Sequence, residues 1–257
     1  MKKQMVFLLL AAFIGSLACR ALTPATARDG TVITNCPDVV TAVRNLQPAE
    51  VPDALLTGVK QGGEFDVNDY FTTLTHLSMQ EGYTLDYVYQ SDGLGAYPIL
   101  YARPVDQPAY VSVTDLPAGY DWTEYRSHVM VAGAEQGFFE FAVMNIMAGQ
   151  FYLYWHANYN DTEIVCDNDA ANAIVENTNS QGFGMEFDLL QQAQVRKLTD
   201  VEPVVRFTDD SAIVEMVVFT KWGGFHRWTY TISRSFPHQF LDVQTENLVP
   251  YDCGILF

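Results

Sequence analysis

The sequence predicts an α+β protein with a largely antiparallel β-sheet body, short N-terminal helices and one or two inserted helices. Before Gly82 the apolar residues recur with helical spacing, whereas after Gly82 apolar and polar side chains alternate with a period of two. Two glycines, Gly223 and Gly224, separate β-rich segments in the manner of a tight hairpin. Helices followed by a run of antiparallel strands are typical of the α+β class.

The composition predicts a well-packed, strongly acidic domain. The chain has 257 residues, of which 49% are hydrophobic and 18% are charged, a balance that excludes intrinsic disorder. Acidic side chains outnumber Lys and Arg by 31 to 14 and give a formal net charge of −17. Because this charge repels a phosphate backbone, we expect no nucleic-acid partner. We divide the chain into a signal peptide (1–18), a tether (19–31) and a single α+β domain (32–257).

The N-terminal residues have the features of an export signal. Two lysines precede an apolar run over residues 5–14, and small residues come shortly before Cys19. The end of this segment resembles the signal of bacterial lipoproteins, in which the cysteine after the cleavage site is acylated. The resemblance covers residues 1–19 and implies lipid attachment at Cys19, with membrane contact through that lipid. A plain cleaved export signal is the alternative, and both predict an extracytoplasmic location, in the cell envelope or secreted.

Export predicts an oxidising environment, in which Cys36, Cys166 and Cys253 are the candidates for disulfide bonding. If Cys19 is acylated, three thiols remain, so one bridge and one free cysteine are expected. No two cysteines have C-x-x-C spacing, and the sequence therefore predicts neither a zinc ribbon nor a thioredoxin-type site. We expect no cofactor and no metal site.

The helices are predicted from apolar residues that recur every three or four positions, preceded by Asn, Asp or Pro and ended in one case by glycine. The second predicted helix carries His76 on the side opposite its apolar stripe, which indicates a solvated residue. In the third, Asp167 and Asp169 are helix caps, although their oxygens are also of the type that calcium binds. The predicted helices cover about residues 37–46, 66–82, 167–175 and 185–198.

The strands are predicted from alternation or from β-rich runs bounded by turn residues. Residues 106–122 contain proline and glycine and predict irregular surface chain. At the glycine pair we expect Phe219 to face Trp228 across the hairpin, with Trp222 opposite Phe225. The predicted strands cover about residues 85–90, 99–103, 138–147, 151–157, 164–166, 213–222 and 225–232.

The most suggestive candidate site lies between Phe151 and Asp161. On an extended strand one face of this segment is apolar, and the other has rings with polar tips, an imidazole and an amide. Such a face suits stacking on a sugar ring with hydrogen bonds to its hydroxyls, or acid/base chemistry through the imidazole. A β face covered by another element is the alternative. The predicted ligand-binding residues are Tyr152, Tyr154, His156, Asn158 and Asp161.

No catalytic residue is assigned, because the sequence contains no nucleophile elbow, zinc-protease motif, Walker loop or EF-hand loop. We therefore interpret the protein as an exported, non-catalytic envelope or cell-surface domain. It is expected to bind a small molecule, a glycan or a protein partner through an aromatic and acidic β surface. The alternative is an extracytoplasmic hydrolase that acts on glycans through His156 or a pair of carboxylates, among which Asp86 and Glu140 are candidates.

Overall fold

Antiparallel sheets packed with short helices form the fold, which confirms the predicted α+β class. The computed structural model describes residues 28–48, 50–91, 95–155, 162–181 and 184–255, with the backbone alone at positions 154 and 155. The helices in these ranges are α1 (Cys36–Leu46), α2 (Asp53–Thr57), α3 (Tyr70–Thr73), α4 (Glu135–Met147), α5 (Asn168–Ser180) and α6 (Leu189–Val195). The strands are β1 (Thr31–Val32), β2 (Leu77–Met79), β3 (Tyr83–Ser91), β4 (Gly95–Pro104), β5 (Val129–Val131), β6 (Tyr154–Trp155), β7 (Glu163–Val165), β8 (Val204–Phe207), β9 (Ser211–Thr220), β10 (Gly224–Ser233) and β11 (Phe240–Val249).

The largest sheet is antiparallel and has a hydrophobic core on each face. Its strands follow the order β1-β8-β9-β10-β11, and β7 also pairs with β9. One core contains Val214 and Met216 of β9 together with α1, α3, α4 and the β3–β4 hairpin. The other core contains Val217 and Phe219 of the same strand together with α5, α6 and the C-terminal segment. Because successive side chains of a strand point to opposite faces, β9 is buried on both sides.

Several predicted elements are confirmed. The first helix is α1, the β3–β4 hairpin matches the predicted pair of strands, and the later helices are α5 and α6. Asp167 caps α5 as expected, because its Oδ1 accepts a hydrogen bond of 2.7 Å from the Ala170 N–H. Packing against the body begins within the predicted tether, where Arg28 donates to the carbonyl oxygens of Asp200 and Glu202, both at 2.8 Å.

The predicted strand over residues 138–147 is wrong, because this segment is the helix α4. Ten of its thirteen residues are buried, and they lie on every side of the helix. A helix that is buried all round has no polar face, so its sequence lacks the periodic stripe that identifies a surface helix. At its start, a Cβ on Gly137 would lie 2.3 Å from the carbonyl oxygen of Ala132, so glycine permits this close approach to the chain after β5.

The second predicted helix is much shorter than expected. After a 3-10 turn at Val67–Asp69, α3 ends at Thr73, and Leu77 already belongs to β2. The expected cap is present, since Asp66 Oδ1 accepts a hydrogen bond from the Asn68 N–H at 2.9 Å. Pairing of β2 with β5 satisfies backbone groups that a continued helix would have satisfied internally.

The predicted register of the glycine hairpin is wrong by three positions. Phe219 pairs with Phe225 rather than with Trp228, because three loop residues separate the paired strands. Gly224 is the first residue of β10 and has a φ of 86°, a left-handed conformation that favours glycine. A Cβ at this position would lie 2.1 Å from the carbonyl oxygen of Val249 in β11. The contact with the neighbouring strand therefore fixes where the glycine must lie.

One disulfide joins two of the three candidate cysteines. Cys36 at the start of α1 is bonded to Cys166, just before α5, across a sequence separation of 130 residues. Cys253 is buried and free. One bridge and one free thiol among these three cysteines agree with the expectation. Cys19 lies outside the described residues.

Candidate functional site

The described part of the predicted ligand-binding segment does not form the expected strand face. Tyr152 is buried, at 8% exposure, and has a φ of 50°, so the backbone is not extended there and the alternation of faces breaks. Its hydroxyl accepts a hydrogen bond of 3.2 Å from the Phe65 N–H. Tyr154 contributes its backbone to β6, which pairs with the start of β4. The remaining predicted residues, His156, Asn158 and Asp161, lie outside the described residues.

A cleft that the sequence did not predict opens beside this segment. It encloses about 170 Å³ and is built from three separate parts of the chain. These are the β4 stretch Tyr97–Leu100, the irregular segment around Trp122, and the end of α4 with the turn to Gln150. Because Tyr154 in β6 pairs with Ala96 of β4, the described end of the predicted binding segment lies beside Tyr97, which lines the cleft.

Aromatic rings form the mouth and floor of the cleft. The rings of Tyr97 and Trp122 approach with their centroids 5.6 Å apart and their planes inclined by 49°. Trp122 is 53% exposed, which is a large apolar surface for a residue on an otherwise polar segment. Tyr125 is buried beneath them, and burial raises the pKa of its phenol to about 12. The mouth of the cleft thus offers aromatic ring faces to a ligand, and the phenol of Tyr125 beneath it is uncharged.

Planar polar side chains form the inner wall of the cleft. Arg126 donates from Nε to the carbonyl oxygen of Thr123 at 3.0 Å and from Nη1 to Oδ1 of Asn145. Gln150 is 7% exposed, accepts from Nη2 of Arg44 at 3.1 Å, and donates from Nε2 to the carbonyl oxygen of Thr162 at 3.2 Å. These contacts hold the guanidinium and both amides in fixed orientations. A ligand would therefore meet a pre-organised set of hydrogen-bonding groups.

A second, smaller hollow of about 120 Å³ lies on the other side of Tyr125. Its lining includes Tyr101, Glu124 and His128. The His128 ring stacks on Tyr83 with a centroid distance of 4.2 Å, and its Nδ1 lies 3.0 Å from Oε1 of Gln80. A carboxylate and an oriented imidazole therefore line one aromatic hollow.

The carboxylates that the sequence suggested for acid/base work have structural partners. Asp86 contacts both Lys60 Nζ at 2.7 Å and Arg103 Nε at 3.1 Å. Glu140 of α4 is buried, and its Oε1 lies 2.8 Å from Nδ1 of His76, a side chain that is 39% exposed. The prediction that His76 lies on a helix is wrong, since it precedes β2, although its ring does reach solvent. Neither carboxylate lines the cleft.

The described residues show no group of three or more His, Cys, Asp or Glu side chains that would hold a metal ion. Within the same ranges, no helix combines the length and the apolar content needed to cross a membrane. Comparison of the chain with protein-family models, curated proteins and solved structures found no match. The geometry of the cleft is therefore the basis of the functional proposal.

Proposed function

We propose that this protein is an exported, non-catalytic binding domain that holds a sugar ring in the cleft between β4, Trp122 and the end of α4. The observation that carries the proposal is the exposed Trp122 ring beside Tyr97, above fixed guanidinium and amide groups. The flat apolar face of a sugar can rest on such rings, while its hydroxyls exchange hydrogen bonds with planar polar side chains.

The size of the cleft supports a small ligand or the end of a longer one. Sites for drug-sized ligands enclose about 300 to 1,000 Å³, whereas the cleft encloses about 170 Å³. One monosaccharide unit fits this space better than an extended oligosaccharide does. A glycan would therefore enter by a terminal or branching sugar, with the rest of its chain outside the mouth.

Export is the second part of the proposal. The N-terminal segment has two lysines, then an apolar run, then small residues before Cys19. This order is typical of an export signal that is cleaved just before that cysteine. The Cys36–Cys166 bond supports the same location, because disulfides persist in oxidising compartments. Acylation of Cys19 would tether the domain to a membrane and present the cleft outside the cytoplasm. Mass spectrometry of the N-terminal peptide tests this part, and an unprocessed Met1 in a cytosolic protein would contradict it.

Titration with soluble sugars tests the binding function. The probes are methyl glycosides of glucose, galactose, N-acetylglucosamine and glucuronic acid, with binding measured by calorimetry. We expect at least one probe to bind, and Trp122→Ala to weaken that binding about tenfold or more, as loss of a central aromatic contact does.

Phe236→Ala is the matched control, because Phe236 is an aromatic residue with 44% exposure that does not line the cleft. This variant should bind the same sugar with unchanged affinity. Equal weakening by both substitutions, or no binding of any probe by the unaltered protein, would contradict the proposal.

A second candidate function is hydrolysis of a glycan, and the second hollow favours it. Glu124 and His128 line that hollow together with tyrosine rings, so a proton donor and a proton acceptor face one space. Incubation with chromogenic glycosides tests this candidate. Turnover that disappears in both Glu124→Gln and His128→Gln would favour hydrolysis over simple binding, whereas turnover that survives both would rule out this hollow.

A further inference from the structure

Arg126 is a half-buried cation that has no carboxylate within 4.0 Å among the described residues, although the more distant Asp121 carboxylate acts on it electrostatically. Its Nε and Nη1 donate to the oxygens of Thr123 and Asn145, and its guanidinium lies 4.8 Å from the centroid of the Phe240 ring. A guanidinium has five N–H donors, so these two hydrogen bonds leave three donors uncommitted among the described residues. Burial lowers the pKa of Arg126, which reflects the free energy needed to keep this charge away from water.

Three other half-buried arginines in the described ranges have carboxylate partners. Arg28 contacts Glu215, Arg227 Nε lies 3.2 Å from the same carboxylate, and Arg103 Nε lies 3.1 Å from Asp86. Such pairing is the usual way in which proteins offset the burial of a charge. No described carboxylate lies within 4.0 Å of Arg126. Its position in the cleft therefore leaves room for an anionic partner in direct contact, which the described residues do not supply.

We propose that the ligand of the cleft is an acidic sugar, whose carboxylate pairs with the free donors of Arg126 while its ring rests on Trp122. This inference rests on the proposed binding function and adds the class of sugar to it. The planar guanidinium matches a carboxylate with two parallel hydrogen bonds, a geometry that a hydroxyl cannot reproduce. In a chain with a net charge of −17, a cation that lines a cleft and has no carboxylate in contact also favours the binding of a negative ligand there.

The experiment compares methyl β-D-glucuronide with methyl β-D-glucoside, which differ in carrying a carboxylate or a hydroxymethyl group on the same ring. Calorimetry on the full chain measures the affinity ratio of the two sugars. We expect the glucuronide to bind about tenfold or more tightly, the gain typical of a charge-assisted hydrogen-bonded pair. Arg126→Met should reduce this ratio towards one, whereas Arg196→Met, an exposed arginine beside α6, should leave it unchanged.

Asn145→Asp is a second test that keeps Arg126 in place. The new carboxylate would lie where Oδ1 of Asn145 now accepts from Arg126, and it would neutralise the cation from inside the protein. The affinity ratio should again fall towards one, even if the Arg126 variant does not fold. Equal binding of the two sugars by the unaltered protein, or a ratio unchanged by both variants, would overturn the inference and leave the proposed function intact. Failure of both sugars and of the neutral probes to bind would overturn the proposed function itself.

Discussion

Raising the pH above 10 is expected to unfold the protein cooperatively, because the fold buries many phenols in their neutral form. Burial raises the pKa of seven tyrosines that are at most 6% exposed, and the shift is large for six of them, all except Tyr251; the pKa is about 12 for Tyr89 and Tyr125. Four of them lie around the β3–β4 hairpin and the cleft, so the effect reaches the proposed site. The six are Tyr70, Tyr87, Tyr89, Tyr101, Tyr125 and Tyr230.

The direction and size of this effect follow from proton linkage. The folded state keeps protons that the unfolded chain releases near pH 10, so stability is complete below pH 10 and falls as the pH rises towards the folded pKa values. At pH 11, each phenol that ionises only in the unfolded chain lowers the free energy of unfolding by about 1.4 kcal/mol. Six such phenols together lower it by about 8 kcal/mol. Since a typical domain has about 5 to 15 kcal/mol of stability in total, the transition should fall near pH 11.

The assay follows far-UV circular dichroism and tyrosinate absorbance during one alkaline titration, with a second titration in denaturant as the reference. In the native protein a share of the 14 tyrosines should ionise together with the loss of secondary structure. Tyr89→Phe should move the midpoint to higher pH, because it removes a buried phenol whose pKa is raised to about 12. Ionisation of all the tyrosines near pH 10 with intact dichroism would refute the reasoning.

Three further perturbations test the packing that surrounds the site. Replacing both bonded cysteines (Cys36→Ala with Cys166→Ala) should lower the free energy of unfolding by up to about 5 kcal/mol, which is the loop-entropy value for 130 residues. Denaturant melts of this variant and of the disulfide-bonded protein measure the difference. Glu140→Gln should lower the stability of the protein by about 1 to 3 kcal/mol, because the buried carboxylate accepts from the backbone N–H of His76 and lies 2.8 Å from Nδ1 of the same residue. A variant that is as stable in denaturant melts as the unaltered protein would contradict this. Gly224→Ala should lower the stability by about 2 kcal/mol or more in thermal melts. The control is Gly82→Ala, which should have a smaller effect, because Gly82 has a similar φ of 82° but a Cβ there would meet no atom within 4 Å.

The sequence predicted several elements that carry a one-sided pattern, but it failed at α4, a helix that is buried all round. The β3–β4 hairpin alternates and α1 has a stripe, and both are present. The α4 segment instead contains a run of aromatic and β-branched residues, a pattern that is typical of a buried strand as well as of a buried helix. Its buried carboxylate, Glu140, has its partner in His76, a residue that is distant in sequence. The residues next to Glu140 in the sequence give no indication of such a contact.

The hairpin register shows a related limit. Two adjacent glycines indicate a turn, but they do not tell which of the two begins the second strand. That choice depends on β11, whose carbonyl at Val249 leaves no room for a side chain on Gly224. A register shift by an odd number of residues also exchanges the faces of one strand relative to the other. Trp228 therefore packs against the core on the opposite side of the sheet from Phe219.

The cleft was not predicted as a site from the sequence. Its residues come from β4, from an irregular segment and from the end of α4, and no motif connects the three. One local signal was available in Asp121-Trp122-Thr123-Glu124, where a tryptophan lies among polar residues of a surface segment. An exposed aromatic ring in that setting is typical of binding surfaces. The position of Arg126 beside it could be known only from the tertiary structure.

The Cys36–Cys166 bond also decides what happens to a molecule that a protease has cut. A protease that cuts once in the surface chain between α3 and α4 produces two fragments, but the bond spans that whole region and holds both together. The nicked protein would migrate as one species until a reductant separates it. The two parts would in this way stay together after a first cut.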